Sequence, residues 1–308
     1  MTIGSGTKLE LHAVSRWYGN VVAVNDISMT IGAGVTGLLG PNGAGKSTLL
    51  HLMAGFLPPS SGTVTIDGEP TWRRPRIYRT VGLVPEREAV YSFLTGREFV
   101  EASAKLHRLP DPGRAAQRAL ETVDLVAAAD RKLGTYSKGM RQRAKVASAL
   151  VHDPQVLLLD EPFNGMDPRQ RLHMMDLLKA MASAGRTVLF SSHILEEVER
   201  LSDTVQVVVS GRLAASGDFR EIRRLMTDRP HVFTIHSTDD RRLAAVLMGA
   251  PHTSGVAIDE QGLRVQAGDF GGFTRDLARL ARAHDIGLRE VIPADESLES
   301  VFSYLVRR

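Results

Sequence analysis

The sequence contains no cysteine among its 308 residues. Disulfide bonds and thiolate-bound metals are therefore excluded, which fits a reducing compartment. Long apolar runs are missing too, because no stretch approaches the roughly 20 residues that a helix needs to cross a bilayer. The N-terminal stretch from Thr7 to Trp17 alternates like a strand and does not resemble a signal peptide. If this protein acts at a membrane, another chain must supply the spans.

Neither sign of charge predominates in the sequence. The 38 basic and 35 acidic residues leave a net charge of +3, and no block of like charges stands out. The composition therefore gives no argument for a nucleic-acid partner. The length suggests about two domains.

A glycine-rich segment at residues 40–48 is the most informative stretch of the chain. It reads Gly-Pro-Asn-Gly-Ala-Gly-Lys-Ser-Thr and fits the phosphate-binding loop G-x-x-x-x-G-K-[ST]. An apolar strand ending at Leu39 precedes it, and Leu49, Leu52, Met53 and Phe56 recur behind it at helical spacing. Glycines let backbone N–H groups turn toward phosphate oxygens, and the helix adds the positive end of its dipole. The expected nucleotide-binding residues are Gly40, Asn42, Gly43, Ala44, Gly45, Lys46, Ser47 and Thr48.

Two side chains of this loop have a specific chemical role. Lys46 supplies a charge for the β- and γ-phosphates, and the Ser47 hydroxyl can ligate Mg²⁺. A second apolar strand, Val156–Leu159, ends in Asp160 and Glu161. Ligands gather at the carboxyl ends of parallel strands, so we expect both acids beside the loop rather than on an unrelated surface. Asp160 would hold Mg²⁺ directly or through water, and Glu161 would orient and deprotonate an attacking water.

Alternating strands and helices predict an α/β domain with a largely parallel sheet over residues 1–228. A helical insertion interrupts it at about residues 90–152. Residues 229–308 follow the order β-α-β-β-α-β, the ferredoxin-like arrangement, and predict a small α+β accessory domain. A last helix is expected to carry one apolar face, made of Leu298, Val301, Phe302, Leu305 and Val306.

The segment from Tyr136 to Met140 resembles the LSGGQ signature of ATP-binding cassette (ABC) transporter ATPases. Ser137 and Gly139 keep two letters of that signature, whereas Tyr136, Lys138 and Met140 depart from it. A hydroxyl and a glycine at a helix N-terminus can bind an anion, although a simple serine cap is the alternative.

The resemblance assigns roles to further residues, which occur along the chain in the order expected of this family. Tyr18 resembles the aromatic residue that stacks on adenine, with a structural turn aromatic as the alternative. Asn164–Asp167 resembles the loop that couples two ATPase subunits, and His193 resembles the switch histidine that contacts the γ-phosphate. Glu86 stands where the family usually has glutamine; it either keeps a contact to Mg²⁺ or faces away.

In the family that this sequence resembles, two ATPase subunits face each other head to tail. Carried over, Lys46, Ser47, Asp160, Glu161 and His193 act in one chain, and Ser137 and Gly139 reach the nucleotide of the other. We therefore expect a P-loop ATPase subunit, binding ATP and Mg²⁺, that works as a homodimer with a separate transmembrane permease.

The overall pattern resembles the ATPases of multidrug- or polysaccharide-type exporters, the ABC-2 type. We expect a cytoplasmic protein at the inner face of the cell membrane, and we expect no nucleic-acid partner. The alternatives are a soluble ABC ATPase acting on ribosomes or DNA, and a P-loop kinase.

Overall fold

The computed structural model describes residues 7–87, 90–202, 204–218, 230–259 and 262–293. The chain divides into two compact units, Met1–Ser216 and Gly217–Arg308. The domain boundary expected from the sequence, at residues 228–229, lies outside the described residues. So does the amphipathic helix expected around residues 298–306.

The first unit combines two sheets with six α-helices among its described residues. Its strands are β1 (Leu9–Tyr18), β2 (Val21–Ile31), β3 (Gly34–Leu39), β4 (Ser61–Ile66), β5 (Glu69–Pro70), β6 (Val81–Val84), β7 (Val156–Leu159), β8 (Thr187–Ser192), β9 (Thr204–Val209) and most of β10 (Arg212–Asp218). Its helices are α1 (Lys46–Met53), α2 (Gly96–Leu106), α3 (Pro112–Thr122), α4 (Lys138–Leu150), α5 (Pro168–Ser183) and α6 (Leu195–Leu201).

The six-stranded sheet has the order β10-β9-β3-β8-β7-β6. Four of its neighbouring pairs are parallel, namely β3 with β8, β3 with β9, β7 with β8 and β6 with β7. The largely parallel sheet expected from the alternating pattern is confirmed. Because β3, β8 and β7 run side by side in the same direction, their carboxyl ends meet at one edge of the sheet.

A separate antiparallel sheet with the order β2-β1-β4-β5 shares its core with α1 and the parallel sheet. Helix α1 buries Leu49, Leu52 and Met53 as expected. The expectation that Phe56 continues this face is wrong, since the helix ends at Met53 and Phe56 is 54% exposed. Gly55 turns the chain there with a φ of +70°, and a Cβ on it would lie 2.4 Å from the Thr71 carbonyl oxygen.

Three helices occupy the region expected to be a helical insertion. Thr95 caps α2 through a reciprocal capping box with Glu98, and Asp111 caps α3 through the Arg114 N–H. Ser137 caps α4 through the Met140 N–H. Each helix therefore starts where the sequence supplies an oxygen for its unpaired first amides.

The described part of the second unit contains β11 (His231–Ser237), α7 (Asp240–Leu247), β12 (Thr253–Asp259), β13 (Gly262–Ala267), α8 (Phe270–Ala283) and β14 (Leu288–Pro293). Its strands pair antiparallel in the order β12-β13-β11-β14, which is the ferredoxin-like topology expected from the sequence. Phe233, Phe273 and Leu243 belong to its own buried core.

In neither unit does a described helix have the length and the apolar character that crossing a membrane requires.

Candidate functional site

The loop between β3 and α1 needs glycine at two of its positions, because a different backbone carbonyl lies close to each. A Cβ on Gly40 would lie 2.3 Å from the Val208 carbonyl oxygen, and one on Gly45 would lie 2.3 Å from the Ala23 carbonyl oxygen. Gly45 also has a φ of +102°, which side chains rarely allow. The loop therefore wraps tightly against neighbouring backbone, and α1 begins directly behind it with Lys46 as its first residue.

Lys46 is a buried cation at the centre of the site. Its Nζ donates to the Gly40 oxygen at 2.7 Å and to the Pro41 oxygen at 3.2 Å, and it lies 3.9 Å from Glu161 Oε1. Burial lowers the pKa of Lys46, and the carboxylates of Glu161, Asp160 and Glu86 oppose that effect. Such a desolvated ammonium interacts more strongly with a phosphate than a solvated one does.

The two acids at the end of β7 are fixed by one serine of the adjacent strand. Ser191 Oγ, at the end of β8, donates to Asp160 Oδ1 at 2.6 Å and accepts from the Glu161 N–H at 2.9 Å. Asp160 and Glu161 are only 3% and 7% exposed. The sequence analysis missed Ser191, although a serine pair ending an apolar strand was a readable signal of a polar sheet edge.

Glu161 contacts both of the other residues expected to act in catalysis. Its Oε1 faces Lys46, while its Oε2 lies 2.9 Å from His193 Nδ1. The backbone of Glu161 has a φ of +48°, an uncommon conformation for a residue with a side chain. The imidazole of His193 is 44% exposed. The structure thus brings the predicted Lys46, Glu161 and His193 together around one carboxylate.

A second buried carboxylate, which the sequence analysis also missed, supports the same edge. Ser192 Oγ donates to Glu197 Oε2 at 2.6 Å, and Arg171 NH1 lies 3.2 Å from Glu197 Oε1. Burial raises the pKa of Glu197, and the Ser192 hydrogen bond and the Arg171 charge oppose that rise. Glu197 on α6 thereby ties the end of β8 to α5.

The signature-like segment lies apart from these residues within one chain. Ser137 Oγ accepts from the Met140 N–H at 3.2 Å, so the serine serves as a cap in this structure. A Cβ on Gly139 would lie 2.4 Å from Gln170 Oε1 and 3.1 Å from the Gly165 oxygen. Over the described ranges, no hydrogen bond or ion pair joins Ser137 or Gly139 to Lys46 or Glu161.

Tyr18 and Glu86 lie at more exposed positions. Tyr18 ends β1 and is 44% exposed, with the Arg16 guanidinium carbon 4.8 Å from its ring centroid. Its role in adenine stacking stays a prediction. Glu86 is exposed, and its charge is among those that raise the pKa of Lys46. That charge opposes the lowering of the Lys46 pKa by burial. Direct contact of Glu86 to a metal stays a prediction.

The residues expected to bind Mg²⁺ are chemically suitable but few. Ser47 lies in the first turn of α1, and Asp160 is a buried carboxylate at the neighbouring sheet edge. Hard oxygen donors of this kind suit Mg²⁺, which usually keeps several waters and substrate oxygens as ligands. In the portion of the chain that the structure describes, no cluster of three or more His, Cys, Asp or Glu side chains could hold a metal. A Mg²⁺ ion here would therefore depend on phosphate and water oxygens as well.

Comparisons with known proteins agree with this geometry. Residues 24–164 match a family described as ABC transporter. An uncharacterized ABC transporter ATP-binding protein of Nostoc sp. is 41% identical over 66% of this chain, which spans 62% of that relative's length. The linearmycin resistance ATP-binding protein LnrL of Bacillus subtilis is 32% identical, and the match covers 97% of this chain and 98% of LnrL.

A solved structure of an ATP-binding subunit of an ABC transporter has the same fold as the first unit. It superposes with a TM-score of 0.64 at 28% identity, covering 70% of this chain and 92% of that one.

Proposed function

Because the chain belongs to the ABC transporter family of ATP-binding proteins, we propose that it hydrolyses ATP for an exporter whose membrane spans lie in a separate permease. The family and the ATPase activity expected from the sequence are confirmed by the comparisons. The observation that carries the proposed mechanism is the position of Glu161, within 3.9 Å of Lys46 and 2.9 Å of His193.

The proposed chemistry assigns one task to each residue. Lys46 binds the β- and γ-phosphates with its buried ammonium, and Ser47 and Asp160 are the residues that would hold Mg²⁺. When bound, the ion neutralises charge on the phosphate oxygens. Glu161 accepts a proton from the attacking water, and His193 is held by the second oxygen of the same carboxylate.

A second copy of the chain completes the site in this proposal. Ser137 and Gly139 make no hydrogen bond or ion pair to the described catalytic residues of their own chain, yet they lie at the N-terminus of α4, whose dipole favours an anion. In a head-to-tail homodimer they would contact the γ-phosphate bound by the opposite loop. Binding would close the dimer, and hydrolysis would open it.

The exporter assignment is supported by the name of LnrL, which describes a resistance protein. We propose that the chain acts at the cytoplasmic face of the membrane and that the permease docks beside the helical insertion. A cavity of about 270 Å³ lies there, lined by Phe56, Tyr78, Leu106 and His107 among others. Phe56 and Tyr78 are exposed aromatic side chains with ring centroids 5.9 Å apart. Nothing in the described residues favours the ribosome, DNA or kinase alternatives.

The test of this proposal is Glu161→Gln. Without the base, ATP should bind and remain unhydrolysed, so light scattering with ATP should show the mass of two 33.6-kDa chains, and turnover should be almost abolished. Glu196→Gln, an exposed glutamate on α6, is the matched control and should behave like the wild type. Hydrolysis at the wild-type rate by Glu161→Gln would exclude Glu161 as the base.

Affinity purification from membranes tests the partner. A transmembrane protein should copurify with the wild-type chain. Ribosomes or DNA in its place would overturn the exporter assignment, and transfer of the γ-phosphate to a small acceptor would indicate a kinase.

A further inference from the structure

Lys145 is a buried lysine in the middle of α4, 4% exposed. Its Nζ donates to three consecutive carbonyl oxygens, those of Pro85 at 2.7 Å, Glu86 at 3.3 Å and Arg87 at 3.2 Å. An ammonium group has three protons, and three carbonyl oxygens of this loop lie within hydrogen-bond distance of it. The segment that leaves β6 therefore curls around the end of one side chain from the helical insertion.

This clamp holds the backbone of Glu86 against α4. The negative charge of Glu86 is one of three that favour the protonated form of Lys46 and oppose the lowering of its pKa by burial. Lys46 in turn is the cation expected to bind the β- and γ-phosphates. A carboxylate on a freely moving loop would be attracted to the buried ammonium of Lys46 and would compete with phosphate for it. The glutamine usual at this position would carry no such charge.

We propose that Lys145 is a positioning residue that holds the loop of Pro85, Glu86 and Arg87 against α4 and so prevents the Glu86 carboxylate from competing with phosphate for Lys46. The inference rests on the proposed ATP site. Lys145 and Ser137 belong to one helix, with Ser137 at its N-cap. Because both residues belong to α4, the clamp joins the Glu86 loop to the helix that begins at the signature-like segment.

The experiment is a double-mutant cycle on ATP binding, measured by calorimetry so that no hydrolysis is needed. Lys145→Met keeps the length of the side chain and removes the donors. It should raise the Kd for ATP about tenfold in the wild-type background. In the Glu86→Gln background the same substitution should change the Kd less than about twofold, because no carboxylate remains to compete. An equal rise in both backgrounds would overturn the proposal.

Limited trypsin digestion tests the clamp without any nucleotide. Arg87 is exposed and lies within the clamped loop, so Lys145→Met should accelerate cleavage after Arg87 about tenfold and leave other sites unchanged. Lys105→Met is the control, because Lys105 belongs to the same helical insertion and its exposed side chain forms an ion pair with Glu101 on its own helix. Unchanged cleavage after Arg87 in Lys145→Met would overturn the clamp. Failure of the wild-type chain to hydrolyse ATP would contradict the proposed function alone.

Discussion

Replacement of Ser191 by alanine should separate the support of the catalytic acids from general stability. The hydroxyl is completely buried and makes two hydrogen bonds, to the Asp160 carboxylate and from the Glu161 N–H. Removing it leaves both groups without that partner, and each such buried group costs roughly 1–3 kcal/mol. We therefore expect the free energy of unfolding of the first unit to fall by about 2–6 kcal/mol.

Ser192→Ala is a closely matched control. Ser192 is also completely buried, on the same strand, and its hydroxyl bonds the Glu197 carboxylate and the Ile194 N–H. Its loss should cost a similar free energy. Only Ser191→Ala, however, should release Asp160 and Glu161 from their positions, and we expect its kcat to fall on the order of 100-fold, about 2.7 kcal/mol of transition-state stabilisation. Ser192→Ala should remain within about threefold of the wild type.

Both effects can be measured on the full chain. The two tryptophans, at positions 17 and 72, lie in the first unit, so urea unfolding followed by tryptophan fluorescence reports on the unit that contains the site. ATPase rates are measured well below the urea transition. If the two variants lose stability and kcat in parallel, Ser191 has no specific role in placing the acids, and the reasoning is refuted.

Two further predictions concern charge. Glu86→Gln should leave ATPase activity within about tenfold of the wild type, and complete loss of phosphate release would show that the acid has a specific role. Burial and the nearby His107 charge lower the pKa of His152 from 6.5 to about 4, so the folded unit disfavours its protonation. The contribution of neutral His152 to the free energy of unfolding should be fully present above about pH 6.5 and should be lost as the pH drops toward 4. His152→Phe, which keeps a ring against His107 at the 3.7 Å stack, should show a smaller drop in urea midpoint over that range; an equal drop would exclude His152 as its source.

Local patterns in the sequence were sufficient to predict much of the fold. The four buried residues of β7 form a short apolar run, and a loop of glycines before Lys46 has few alternative interpretations. The order of elements in the second unit could also be read from the alternation of strand and helix patterns. Phe56 was placed wrongly because helical spacing continues past the point where Gly55 turns the chain.

The residues that sequence analysis missed depend on contacts between distant segments. Ser191 supports Asp160 because β8 pairs with β7, and no local pattern specifies that neighbour. Lys145 looks like a solvated lysine in a helix until the Pro85–Arg87 loop is seen around its ammonium. Functional residues within a contiguous sequence motif could be predicted. The side chains that position those residues through contacts between distant segments could not.

The strand order β3-β8-β7 also determines when the catalytic edge can form during synthesis. β3 and β7 do not pair with each other; both pair with β8, which comes last of the three in the sequence. Until residues 187–192 have left the ribosome, β8 is not available to pair with both β3, which precedes the phosphate loop, and β7, which precedes the two acids. Helices α2 and α3 are close in sequence and can pack early, whereas the parallel pairs must first close long loops. The edge that holds the chemistry is therefore completed late, after most of the surrounding unit has been made.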